Sequence, residues 1–158
     1  MGLLDSQSVK TSSVTEQKGY DGNKKLCGRK RFILTDTLGL LLSLVITSGD
    51  LGEREGAKLL FARLGGQFPR LSKILADQGF GGAEFCAWVK KSYTWAFEVV
   101  AQVLGVAGFV VIPKRWIVER TFGWLAFQRR LIKDYEQKTE HSAAFIHWVM
   151  IRLMIRKL

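Results

Sequence analysis

Cysteine is scarce in this chain, and acids are in the minority. Of 158 residues only two are cysteines. Cys27 and Cys86 stand far apart, without the short spacing of metal ligands, so a disulfide framework and a thiolate metal centre are both excluded. A reduced, intracellular setting with two structural thiols is the expectation. The longest uncharged apolar stretches, Thr37–Ser48 and Ser142–Ile151, fall short of the ~20 residues that cross a bilayer. Met1–Lys10 lacks the basic start and apolar run of a secretory leader. No internal repeat, low-complexity segment or second domain is visible. Acids number 14 against 24 Lys and Arg, which leaves a net charge of +10. Such an excess favours a polyanionic partner, nucleic acid before an anionic membrane surface. With 47% hydrophobic residues the chain can bury the core of a single domain over residues 1–158.

The pattern along the chain reads as strands alternating with helices. Gly2-Leu3-Leu4-Asp5 is a short strand with Asp5 at its tip. Ser6 to Asn23 is polar, has no apolar period, and is predicted to be a loop. A basic cluster, Lys24, Lys25, Arg29, Lys30 and Arg31, runs into Phe32-Ile33-Leu34. The turn Thr35–Gly39 and the apolar run Leu40–Thr47 complete a β-hairpin whose second arm is expected to be an inner strand covered on both faces. Asp50 and Glu53 mark a helix start, Ala57, Leu60, Phe61 and Leu64 fall at helical spacing, and Gly65-Gly66 stops the helix. Leu71–Ala76 is a strand delivering Asp77 into a glycine-rich turn. Ala83–Lys91 is a helix, with Phe85, Cys86 and Val89 inward. Thr94–Val100 is a strand, Gln102–Gly108 an unusually apolar connection, and Phe109–Ile112 a brief extended piece. Pro113 starts a helix from about Lys114 to Leu131. Lys133–Glu140 is a polar connection. Ser142–Lys157 closes the chain as a helix with Ile146, Val149, Met150, Leu153 and Met154 at core spacing.

One stretch gathers the chemistry: Arg115-Trp116-Ile117-Val118-Glu119-Arg120-Thr121-Phe122-Gly123-Trp124-Leu125. It sets a single carboxylate among basic residues on an apolar helix. An ordinary ion pair between Arg115 and Glu119, one turn apart, is the competing reading. Asp5 and Asp77 change the weighting. If their strands are parallel neighbours, both carboxylates emerge at one edge of a mixed sheet, and Glu119 can descend from a helix laid over it. Three such carboxylates would repel one another without a cation between them. Hard oxygen ligands with open positions suit Mg²⁺ or Mn²⁺, and two such ions clamp a phosphodiester displacement. Asp36 competes for the first position, though Asp is common at hairpin tips for turn reasons alone. The surrounding bases, Lys10, Lys24, Lys25, Arg29, Lys30, Arg31, Arg115, Arg120, Arg129 and Arg130, would hold a nucleic-acid backbone.

Five stretches precede the Arg115–Leu125 motif and two follow it: Asp5-Ser6-Gln7-Ser8-Val9-Lys10-Thr11, Gly19-Tyr20-Asp21-Gly22, Gly28-Arg29-Lys30-Arg31, Asp36-Thr37-Leu38-Gly39-Leu40-Leu41 and Ala76-Asp77-Gln78-Gly79-Phe80, and then Arg129-Arg130-Leu131 and Lys133-Asp134-Tyr135-Glu136. Together they resemble the DDE-type transposases of the insertion sequence 4 superfamily, and within it the insertion sequence 5 family. The resemblance spans essentially the whole chain. It implies an α/β, ribonuclease-H-like mixed sheet with flanking helices. It implies Asp5, Asp77 and Glu119 as a catalytic triad holding two divalent ions, Mg²⁺ with Mn²⁺ as the alternative. Arg115 matches the family's Arg-x-x-x-Glu signature and would contact DNA or orient Glu119. Family members cut at element ends and join them to target DNA, so DNA is the implied partner, with self-assembly on DNA left open. A bacterial cytoplasmic, nucleoid-associated location follows, with no membrane partner. Two departures stand out. Only Met1–Leu4 precede Asp5, where the family carries a substantial N-terminal region, so a C-terminal portion of a transposase is expected. The family's basic residue after the Glu motif is absent at Phe127, although Arg129 and Arg130 remain. A catalytically inactive remnant that binds DNA or inhibits a full-length enzyme is the alternative. A ribonuclease-H-like nuclease of another role is a weaker one.

Overall fold

The computed structural model describes residues 1–100 and 114–156. The strands are β1 (Gly2–Lys10), β2 (Gly19–Asp21), β3 (Leu26–Thr35), β4 (Leu41–Ser48), β5 (Lys73–Ala76) and β6 (Ala96–Val99). The helices are α1 (Glu53–Leu64), α2 (Ala83–Ser92), α3 (Trp116–Ala126) and α4 (Thr139–Ile155), with single 3-10 turns at Gln78–Phe80 and Arg129–Leu131. The expected apolar connection Gln102–Gly108, the extended piece Phe109–Ile112 and the helix starter Pro113 lie outside the described residues.

The sheet runs β2-β3-β1-β5-β6, with β4 also paired to β3. β1, β3 and β4 are antiparallel, whereas β5 lies parallel to β1 and β6 parallel to β5. Antiparallel meander, crossover helix and parallel strands give the mixed sheet with flanking helices that the sequence pattern predicts, in the ribonuclease-H-like arrangement that the resemblance implies. Because side chains alternate along a strand, two cores form. Leu4, Phe32, Leu34, Val45, Ile74 and Ala76 meet α1 and α2 on one face. Leu3, Ile33, Leu44 and Ile46 meet α3 and α4 on the other.

Phe61 of α1 anchors the first core, fully buried among the rings of Phe85, Tyr93, Trp95 and Phe97. Burying such a ring contributes roughly 1.5–3 kcal/mol. α1 approaches the sheet closely at Gly56, where an added Cβ would lie 2.1 Å from the Phe32 ring. Gly65 ends the helix in the left-handed conformation, as Gly65-Gly66 predicts. The helix begins at Glu53 with Gly52 as its cap, and no side chain caps it.

Several expectations need correction. The polar stretch from Ser6 is not a loop throughout. β1 continues to Lys10 because β3 pairs with it from Leu3 to Lys10, and Gly19–Asp21 is a further short strand on β3. Asp5 therefore sits inside a nine-residue strand and not at a tip. β4 is covered on its faces as expected, but it pairs with β3 alone among the described strands and lies at an edge. The predicted helix from Lys114 to Leu131 ends at Ala126, since Gln128 is extended, and a separate 3-10 turn follows. In α4, Ile146 and Met150 are buried, and Val149, Leu153 and Met154 pack against them.

Candidate active site

Parallel pairing of β1 with β5 sets Leu3 opposite Leu75 and Leu4 opposite Ala76. The next residue on each strand is an acid, Asp5 and Asp77. β5 stops at Ala76, so the two acids stand side by side where the parallel ladder ends, while β1 runs on against β3. Alternation puts Asp5 on the face of Leu3, and Asp77 on the face of Leu75, which is the α3 side of the sheet. α3 lies on that face through Ile117, Val118, Phe122 and Leu125. Its Glu119 is thereby directed to the sheet end where the two aspartates sit.

Each acid has its own setting. Asp5 is half-buried, and its Oδ1 accepts the Ser6 N–H at 2.7 Å. Desolvation lifts its carboxyl from 3.8 to about 7; the Ser6 N–H opposes this, Asp77 adds to it, Arg115 opposes and Glu119 adds. Asp77 caps the 3-10 turn, its Oδ1 accepting the Gly79 N–H at 3.0 Å. Glu119 is 48% exposed and pairs with Arg115, whose Nη2 lies 3.3 Å away. That is the ordinary helical ion pair, and it coexists with the approach to Asp5. The Arg115 Nε is buried and has no hydrogen-bond partner among the described residues.

The three acids stand in one electrostatic neighbourhood, since Asp77 and Glu119 both act on the Asp5 carboxyl. Among the described residues no three His, Cys, Asp or Glu side chains converge tightly enough to hold one ion as they stand. The donor set nevertheless fits a divalent cation. All three donors are hard carboxylate oxygens, Asp5 carries a charge penalty that a cation would relieve, and Glu119 is half exposed. Asp36, the competitor, spends its Oδ1 on the N–H groups of Leu38 and Leu40, both at 2.8 Å, as a turn former.

The basic residues divide into two groups. Lys10, Lys24, Lys25, Arg129 and Arg130 are exposed, and Arg130 is tied to Glu136 at 2.7 Å. Arg29, Lys30 and Arg31 are buried, which corrects their assignment to a DNA surface. Arg29 reaches the carbonyls of Glu16, Glu136 and Gln137 and pairs with buried Asp134 at 3.3 Å. Lys30 pairs with Asp21 and Glu53 on the opposite face. Arg31 donates to the Leu131 carbonyl, and burial pulls its guanidinium down to about 10. Arg120 is engaged too: its Nη2 donates to the Leu38 carbonyl at 2.9 Å, and its guanidinium lies over Trp116 and Trp124. Leu38, Gly39 and Thr121, which meet there, escaped the sequence reading. A turn contact across 82 residues leaves no local pattern.

A mixed sheet of this order, with two acids just past the end of the β1–β5 parallel ladder and a third on a helix laid across that face, defines a ribonuclease-H-like protein. A family model described as the transposase DDE domain matches residues 1–155, and the chain belongs to that family. Transposition, with DNA as substrate, is thus its family function, and domains of this family depend on divalent metal ions. No curated protein matches the chain.

Proposed function

We propose that this chain cuts and joins DNA strands as the single catalytic domain, residues 1–158, of a transposase, with Asp5, Asp77 and Glu119 as its catalytic triad. The supporting observation is the placement of Asp5 and Asp77 at adjacent positions beyond the β1–β5 ladder, with Glu119 close enough to act on Asp5. The motif order further supports membership of the insertion sequence 4 superfamily, in its insertion sequence 5 group. The three carboxylates would hold two Mg²⁺ or Mn²⁺ ions, which supply charge neutralisation and polarisation of phosphodiester oxygens.

The residues themselves do the rest. Asp5 gives up its proton more readily once its charge is compensated. The Asp77 turn fixes that carboxylate through Gly79. Arg115, part of whose side chain is exposed, supplies a charged donor toward a backbone phosphate and restrains Glu119. Lys10, Lys24, Lys25, Arg129 and Arg130 provide the exposed positive charge for a DNA backbone. The reaction is hydrolysis of a phosphodiester at an element end, then attack of the freed 3′-OH on target DNA. No helix among the described residues is long and apolar enough to cross a membrane. The bacterial cytoplasm, on the nucleoid, is the proposed location, with assembly of copies on DNA. Supercoiled-plasmid nicking in Mg²⁺ tests the proposal: nicking by the wild type and none by Asp77→Ala is expected, and equal nicking by both would defeat it.

A further inference from the structure

Glu119 is poorly held by its own contacts. It is half exposed, and among the described residues its ion pair lies on the same helix, so its place depends on how α3 sits on the sheet. The packing face of α3 is apolar, Ile117, Val118, Phe122 and Leu125, and such contacts are not directional. Directional contacts come from the two residues that follow Glu119. The Thr121 hydroxyl donates to the Gly39 carbonyl at 2.7 Å, and it also lies 3.2 Å from the Ile117 carbonyl of its own helix. Arg120 Nη2 donates to the Leu38 carbonyl at 2.9 Å. Both acceptors belong to the β3–β4 turn.

That turn is braced from within. Besides the two bonds to the Asp36 carboxylate, the Gly39 N–H reaches the Asp36 carbonyl and the Asp36 N–H reaches the Leu40 carbonyl. Gly39 is buried and adopts φ +80. A Cβ there would meet Thr121 Oγ1 at 2.8 Å and the Trp124 ring at 3.3 Å. Thr121 is itself fully buried. The turn thus offers α3 a rigid ledge of two carbonyls, and the helix grips it one and two residues after the acid.

We propose that the Asp36–Leu40 turn is the positioning element for Glu119, acting through the Thr121–Gly39 contact. The proposal rests on the reading of Glu119 as a metal-holding carboxylate. Releasing the grip lets α3 turn or slide, and a carboxylate displaced by an ångström no longer completes the site.

The test is Mn²⁺ affinity by calorimetry on the whole chain. Wild type, Glu119→Gln, Thr121→Val, Thr121→Ser, Gly39→Ala and the double variant Glu119→Gln/Thr121→Val are compared. Thr121→Val and Gly39→Ala should each weaken Mn²⁺ about tenfold, in the range of residues that orient ligands. Thr121→Ser should bind as wild type, and the double variant should lose no more than Glu119→Gln alone. If Glu119→Gln weakens Mn²⁺ but Thr121→Val does not, the positioning role is overturned while Glu119 keeps its role. If Glu119→Gln binds as wild type, the reading of Glu119 fails and takes the proposal with it. Amide exchange without metal separates positioning from general loosening. In Thr121→Val the α3 amides should exchange faster with those of β1 unchanged, and equal acceleration in both would also overturn the role.

Discussion

Replacing Asp5 by Asn should stabilise the metal-free protein, and more so as pH rises. The Asp5 carboxyl titrates near 7 in the fold, against 3.8 as its ordinary value. An acid whose folded pKa is raised does not penalise the fold below its unfolded pKa. The penalty grows as pH rises from about 4 and levels off above about 7. At 1.36 kcal/mol per unit the ceiling is about 4 kcal/mol at pH 8 and about 2 kcal/mol at pH 5. Water reaching the half-buried side chain lowers both figures, so their difference is at most about 2 kcal/mol. Asn retains the oxygen that accepts the Ser6 N–H and removes the charge. For a chain of this size 1 kcal/mol moves Tm by roughly 2–4 °C. The advantage of Asp5→Asn over wild type should therefore be larger at pH 8 than at pH 5, by up to about 8 °C, in chelator-treated samples followed by calorimetry. Adding Mn²⁺ should raise the Tm of wild type and not that of the variant. An Asn variant less stable than wild type at pH 8, or an equal difference at both pH values, would show that burial of the Asp5 charge does not destabilise the fold.

Arg29→Met should cost about 3–5 kcal/mol in urea unfolding, because it leaves buried Asp134 without its cation. An exposed, DNA-facing Arg29 would instead show no loss. Gly56→Ala should destabilise by about 1–3 kcal/mol, since its methyl meets the Phe32 ring at a well-packed helix–sheet contact; a neutral result would mean that α1 shifts freely. The double change Lys24→Ala/Lys25→Ala should leave Tm unaltered and weaken plasmid binding, with the salt slope of log K falling by up to about 2. An unchanged slope would remove these two lysines from the DNA surface.

How far the sequence discloses this protein depends on where the determining contacts lie. The hairpin, α1 with its glycine stop, and the strand that delivers Asp77 follow from local period and turn chemistry. Positions 6–10 offer only Val9 as a buried apolar side chain, and β1 extends there because β3 supplies the partner. The same long-range effect reverses the meaning of Arg29-Lys30-Arg31. Locally they form a basic patch, but β3 is flanked on both sides, and the charges are absorbed by Asp134, Asp21, Glu53 and several carbonyls. The acid pair was legible because parallel neighbours in register bring the residues just past their ladder together, although β1 runs on beyond Asp5 and only β5 stops there. The grip of Thr121 on Gly39 was not, because both residues look like ordinary helix and turn positions until the chain folds.

The central claim is that Asp5, Asp77 and Glu119 hold divalent metal together. The most direct measurement is an anomalous difference map from a crystal of this chain soaked in Mn²⁺. Manganese peaks are expected among the carboxylates of Asp5, Asp77 and Glu119, and are expected to be lost in Asp77→Ala. Manganese bound elsewhere, with those three carboxylates left bare, would contradict it.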